Sequence, residues 1–413
     1  MPLVHMRDLL DHAYRHNYAV GAFDVSGLEC LEGVMVAAER CRAPVILNLA
    51  YPQFEDFDVE LLMPAMESAA CRAVVPVAIQ LDHGLDVEVA AHAINRGCNG
   101  VMVDASDREL GENIGITREV VSMAHGCGVP VEGKLGYNSA PIRAGSPGEP
   151  QNPKDVVYTA VAEARVYVER TGVDFLAVSI GIQTGRSRAK LRPNWQRLKQ
   201  LNEALQIPLV VHGGAGLTDD QFRRLIANGV AKIRFESLFT DAAGDRLRVG
   251  AKKAARNDYH GIMREIRRAV EQEVERYLRL WGAAGRAAEV LEQCRGWQPV
   301  EYAVFHSRDG LSEPEVAAVV EEGRRAFSAI PGVREVRTGG LLQSEDRFGW
   351  LLSFCDPVLI DGYREHPAYV SFARPRADRL CNASSIASGA NPFRARPAPA
   401  AQEVVSGAWS RRR

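Results

Sequence analysis

The chain has 413 residues, and because domains average ~150 residues it is expected to divide into two or three units. Its 50 Lys+Arg against 52 Asp+Glu leave a formal net charge of -2, which excludes the global basic field that nucleic acid or an anionic membrane surface would attract. With 46% hydrophobic and 25% charged residues the chain has ample core material and is not disordered in the main. Its apolar stretches, such as residues 73–79, have the length of a strand and fall well short of the ~20 residues of a membrane span.

The first eighteen residues carry His5, Arg7, Asp8, Asp11, His12, Arg15 and His16, which break any signal-peptide core, so a cytoplasmic location is expected. Eight cysteines are spread without a C-x-x-C pair, which argues against a zinc ribbon or dithiol motif and for buried thiols.

From Ala19 to about Glu236, short β-rich runs alternate with longer amphipathic segments. The eight runs are AVGAFDV (19–25), PVILNLA (44–50), PVAIQLD (76–82), GVMVDA (100–105), VPVEGKL (129–135), FLAVSIG (175–181), PLVVHGG (208–214) and AKIRFES (231–237). Eight βα repeats predict an α/β chain folded as a (β/α)₈ TIM barrel, with a doubly wound sheet as the alternative. Between the runs, residues 112–125 show helical apolar spacing closed by Gly126, and Thr218-Asp-Asp-Gln221 is a capping box opening a helix that stops near Gly229. Residues 259–281, with Ile262, Ile266, Val270, Val274 and Leu278 spaced four apart, predict a long helix closing the barrel.

The βα rhythm then stops, placing a boundary within 283–299 and a linker at 287–299. Strands are expected at 301–307, 333–339 and 350–356, a helix from the Ser312 cap to about Phe327, and a short helix around 357–364. Residues 300–373 therefore read as a small α+β domain. From Arg374 onward Pro, Ala, Ser and Arg dominate, so 374–413 is expected to be a disordered tail.

In a barrel of this kind the active site lies at the C-terminal ends of the strands. The candidates by position are Asp82 and His83 on run three, Asp104 on run four and Glu132 and Lys134 on run five. Run seven adds His212, Gly213 and Gly214, and run eight Lys232, Arg234, Glu236 and Ser237. Two imidazoles among several carboxylates have the chemistry to hold a divalent metal beside an acid/base group.

The motifs IQLDHG (79–84), VMVDAS (101–106), PVEGKLG (130–136), ERTGVDFLAVSIG (169–181), PLVVHGGAG (208–216) and GVAKIRFES (229–237) resemble the class II, metal-dependent fructose- and tagatose-bisphosphate aldolases, from about residue 20 to residue 286. In that family zinc polarises the carbonyl of dihydroxyacetone phosphate and stabilises the enediolate, while the aspartate of D-H-G moves a proton at the aldehyde oxygen. The resemblance implies that Asp82 is the acid/base group and that His83 and His212 are zinc ligands. The third ligand position is occupied by Thr184, in Ile182-Gln183-Thr184-Gly185. A family glutamate becomes Lys134, a phosphate-binding serine Ala215, the asparagine of K-I-N Arg234, the following D-T pair Glu236-Ser237, and a serine after strand two Ala50.

These departures fall on functional positions while the scaffold motifs survive. They imply an aldol or retro-aldol lyase for a small anionic ketone/aldehyde pair other than the ordinary fructose bisphosphate. With an incomplete ligand set, a metal-free mechanism is preferred to a zinc one, Lys134 and Arg234 replacing the cation's charge. Asp82, Lys134 and Glu132 are then the catalytic candidates, Lys134 either forming a Schiff base or pairing with Asp82 or Glu132. Arg234, Ser237, Gly213, Gly214, Asp104 and Lys232 are the substrate and anion contacts.

In the C-terminal unit, VEYAVFHSRDGLSEPEV (300–316), AIPGVREVRTG (329–339) and GYREHPAYVSF (362–372) resemble the stress-responsive α/β-barrel (Dabb) domains, small ferredoxin-like folds. That resemblance implies a homodimer or an assembly of dimers. His306 and His366 are the unit's acid/base imidazoles, and surface or structural roles are expected for both. Two other functions stand beside the lyase. One is a catalytically silent barrel that binds a ligand or organises an assembly, and the other is a catalytic Dabb domain carried by the barrel. No nucleic-acid or membrane partner is expected.

Overall fold

The computed structural model describes residues 2–51, 58–137, 157–182, 193–235, 243–249, 259–340, 347–381 and 385–386. The eight runs form the strands β1 (Val20–Asp24), β2 (Val45–Ala50), β3 (Val77–Gly84), β4 (Gly100–Val103), β5 (Val131–Leu135), β6 (Phe175–Val178), β7 (Leu209–His212) and β8 (Val230–Arg234). They close in sequence order into one parallel barrel, β8 returning to β1 through the register Val20↔Lys232. Parallel strands sandwiched between barrel interior and helices are buried on both faces, which is why the runs are continuously apolar and do not alternate.

The helical signals hold. Thr218 caps the helix Asp219–Ile226 in a full capping box with Gln221, and the spacing of four places a helix at Tyr259–Leu280 with Val270, Val274 and Leu278 buried. At the opposite end to the strand C-termini, the helix Met6–Arg15 plugs the barrel with Met6, Leu9 and Leu10 fully buried.

Residues 287–299 are not a free linker. They contain the helix Ala287–Gln293, and the backbone N–H of Trp297, 3% exposed, donates to Leu3 O at 2.8 Å, so burial of Ala287, Val290 and Trp297 holds the segment on the barrel.

The C-terminal unit is an antiparallel sheet of β9 (Val300–Ser307), β10 (Val333–Gly340), β11 (Arg347–Phe354), β12 (Leu380–Cys381) and β13 (Ser385–Ile386) in the order β10-β11-β9-β12, β13 also pairing with β9. The helix Glu313–Ser328 covers one face, where Trp350 and Phe327 are buried. Past Arg374 the expected disorder does not begin at once: β12 and β13 satisfy the free edge of β9. Residues 387–413 lie outside the described residues.

The unit docks beside the C-terminal ends of barrel helices. Arg334 pairs with both oxygens of Glu67 at 2.6 and 2.7 Å, Gly332 N–H donates to Asn95 Oδ1 at 2.6 Å, and Cys355 Sγ lies 3.5 Å from Cys127 O. Those helix ends adjoin the N-terminal ends of the strands, so the unit sits away from the mouth where the candidate site lies.

Candidate active site

The geometry begins with a defect in β3. Its register with β4 shifts between Leu81 and Gly84, and within that shift His83 adopts φ 55, a left-handed conformation uncommon outside glycine. The bulge is backed by a close approach: a Cβ on Gly84 would lie 2.9 Å from Met102 O, so only glycine fits. It turns the His83 ring toward the mouth beside Asp82, which points inward.

Each imidazole is tied on one nitrogen by a carboxylate. His83 Nδ1 lies 2.7 Å from Asp104 Oδ2, and His212 Nε2 lies 3.0 Å from Glu132 Oε1. The two rings face each other with centroids 5.2 Å apart. Asp82, His83 and His212 each offer one ligand atom, all within 4.8 Å of one another. His212 Nδ1 and both Asp82 oxygens are buried without a hydrogen bond. A nitrogen, nitrogen and oxygen donor set, with each histidine oriented by a carboxylate behind it, fits a divalent transition-metal ion.

The cations are already engaged. Lys134 Nζ lies 2.7 Å from Asp104 Oδ2, so its partner is neither Asp82 nor Glu132, and an ammonium held by a carboxylate is a poor Schiff-base nucleophile. Lys232, expected among the anion contacts, is 0% exposed with Nζ 2.6 Å from Glu132 Oε2, out of reach of a substrate. Arg234, expected as an anion clamp, instead lies between two carboxylates: Nη2 is 2.5 Å from Asp24 Oδ2 and Nε 2.9 Å from Asp82 Oδ2. Four carboxylates (Asp24, Asp82, Asp104, Glu132) thus face three cations, an excess of one negative charge among the described residues. Replacement of a metal's charge by Lys134 and Arg234 loses its basis, since neither cation is uncommitted.

The titration of the cluster follows from this pairing. Burial pushes the Asp82 carboxyl up, but His83, Arg234 and His212 outweigh it and hold it below the usual range. Asp104 is likewise held well below that range, Lys134 and His83 overcoming burial. Glu132 drops to about 2 because Lys232 and His212 outweigh its burial, whereas burial lowers His212 to about 4.

Asp104 acts inward, also accepting from Ser106 Oγ at 2.6 Å, and does not face a ligand as expected. Gly213 and Gly214 form the turn after β7 at φ 91 and 133, but the Gly213 N–H donates to Arg234 O at 3.0 Å and is not available to an anion. Gln183, Thr184, Glu236 and Ser237 lie outside the described residues. Three participants were not anticipated: Asp24, Asn48, which donates to Asp24 Oδ1 at 3.2 Å, and Gln80, which donates to Glu132 Oε2 at 2.9 Å. Their signal is a polar residue within an apolar run: Asp24 in the first, Asn48 in the second, and Gln80 two positions before Asp82 in the third.

Residues 4–286 match the family model described as fructose-bisphosphate aldolase class-II. The chain belongs to that family. The class II aldolase match ends where the barrel ends, and the C-terminal unit stands outside it. The chain is 34% identical over 282 residues to the uncharacterized protein YdjI of Escherichia coli (strain K12), 67% of this chain and 96% of that protein. It is 34% identical over 298 residues to fructose-bisphosphate aldolase of Geobacillus stearothermophilus, 70% of this chain and 100% of the relative. To 6-phospho-5-dehydro-2-deoxy-D-gluconate aldolase of Shouchella clausii it is 30% identical over 292 residues, 70% and 97% of the two chains. The crystal structure of the YdjI aldolase superposes with a TM-score of 0.62 at 32% identity, covering 69% of this chain and 99% of that one. The chain is accordingly an aldehyde-lyase of carbohydrate metabolism, and since the relatives act on different substrates, membership sets the type of chemistry and leaves the substrate open. Among the described residues no helix is long and apolar enough to cross a membrane.

Proposed function

We propose that this class II aldolase cleaves or forms a carbon–carbon bond in a small anionic ketone/aldehyde pair, with Asp82 as the acid/base group and a divalent cation held by His83 and His212. The observation that carries the reading is the convergence of the two imidazoles, each fixed by its own carboxylate, on one point beside Asp82. A bound cation supplies Lewis-acid polarisation of a carbonyl oxygen. Asp82, unprotonated at neutral pH, accepts the hydroxyl proton during cleavage and returns it to the aldehyde oxygen during condensation. Asp104 and Glu132 fix the imidazoles' tautomers, so that each presents its other nitrogen inward. The excess of one negative charge in the described cluster favours a cation at this point.

No observation favours the silent barrel or the catalytic C-terminal unit. His306 is 1% exposed with Nδ1 2.6 Å from Ser307 O, and His366 caps the helix Pro367–Ala373, so both imidazoles have structural tasks.

The test is metal-stripped protein reloaded with Zn²⁺ or Co²⁺ and assayed for cleavage of a panel of ketose phosphates and 2-keto-3-deoxy acid phosphates. One ion per chain and metal-dependent turnover of one panel member, lowered ~10² to 10⁴-fold by Asp82→Asn, is the expected result. Turnover unaffected by chelation would overturn the metal, and unaffected by Asp82→Asn would overturn the acid/base assignment.

A further inference from the structure

The aspartate beside the two histidines has two incompatible uses. Asp82 offers an oxygen within 4.8 Å of both imidazole ligand atoms, close enough to complete a three-ligand site, yet a carboxylate bound to a cation is a poor proton carrier. What separates the two uses is Arg234. Its Nε lies 2.9 Å from Asp82 Oδ2, on β3, and its Nη2 lies 2.5 Å from Asp24 Oδ2, on β1. Asn48, paired in register with Asp24 across β1 and β2, donates to the other Asp24 oxygen at 3.2 Å. Arg234 is 5% exposed and Asp24, Asn48 and Asp82 are 0% exposed, so the pairing acts where water screens little. A guanidinium is a rigid planar fork, and one arm fixed by Asp24 determines where the rest points.

We propose that Arg234, anchored by Asp24 and Asn48, is a positioning residue that holds the Asp82 carboxylate back from a cation at His83 and His212, keeping it a proton carrier and not a third ligand. The proposal rests on the metal-dependent reading above. It gives Asp24 and Asn48 a task on strands that bring no other polar side chain into the cluster. It also explains why a site with two histidines carries an arginine next to its third potential ligand. Release of Asp82 should tighten metal binding and change its coordination.

The experiment uses full-length protein stripped of metal and titrated with Co²⁺, whose d–d absorption reports the ligand set and whose affinity is read by competition with a chelating dye. The double substitution Asp24→Asn/Arg234→Gln removes one negative and one positive charge together. The net charge near the ion is therefore unchanged, and the Asp24–Arg234 pair is removed without stranding the charge of either member. It should bind Co²⁺ at least tenfold more tightly than the unmodified protein, with altered d–d bands. Adding Asp82→Asn should abolish both changes. Arg234→Lys keeps the cation but loses the fork, and should show the same band change and at least threefold tighter binding; it serves as the measurement if the double variant does not fold. Affinity and bands unchanged in these variants, or tightening that persists with Asp82→Asn, would overturn the positioning role alone. Failure of the unmodified protein to bind Co²⁺ would overturn the metal reading and this proposal together.

Discussion

Substitution Lys232→Met tests how the interior of the mouth is held. Lys232 and Glu132 are both 0% exposed and 2.6 Å apart, and Glu132 also accepts from Gln80 at 2.9 Å and faces His212 at 3.0 Å. Methionine preserves most of the buried stem, so the perturbation is chiefly the loss of one charge. Removing one partner of a buried pair costs about 3–5 kcal/mol. Because Glu132 keeps two hydrogen-bond partners, the lower end, about 3 kcal/mol, is expected. At about 2–4 °C per kcal/mol for a domain of this size, the melting temperature should drop by about 6–12 °C. Adding Glu132→Gln removes the stranded charge as well and should recover all but about 1–2 kcal/mol. The assay is scanning calorimetry of metal-free protein at pH 7.5, with the single and double variants side by side. A drop below about 3 °C, or a double variant no more stable than Lys232→Met, would refute the reasoning that this pair compensates a buried charge.

Acid should destabilise the metal-free barrel in a defined window. Burial lowers His212 from 6.5 to about 4, so below pH 6.5 the unfolded chain takes up a proton that the folded site refuses. Stability is complete above pH 6.5 and falls by about 3 kcal/mol as the pH approaches 4, with Glu132 extending the decline below that. Urea midpoints that stay flat between pH 7 and 5 would refute this. Asp104→Asn weakens the support of His83 and removes the counter-charge of Lys134, and should weaken Co²⁺ or Zn²⁺ binding about 10- to 100-fold by equilibrium competition; unchanged affinity would mean that the imidazole is held otherwise. Light scattering of the full chain should give the mass of at least two copies, reduced by deletion from Val300, and a monomer at micromolar concentration would refute the dimer expected of the C-terminal sheet.

The barrel was legible in the chain because burial on both faces forces each strand into a continuous apolar run, and the number and order of those runs admit few closures. Asp82, His83 and His212 were legible for a related reason: strand ends are where a barrel exposes chemistry, so polar residues there stand out against apolar neighbours. The packed segment 287–299 and the strands beyond Arg374 were not, because they are held by contacts distant in sequence, such as Trp297 with Leu3 and Leu380 with His306. The partners of the charged residues belonged to the tertiary structure alone. Their positions on the fifth and eighth runs place Lys134, Lys232 and Arg234 near one mouth, but only the barrel's curvature and the bulge at His83 bring Lys134 to Asp104, Lys232 to Glu132 and Arg234 between Asp24 and Asp82. Coulomb attraction in a buried site depends on ångström separations, and no spacing along the chain encodes the distance between residues 24 and 234.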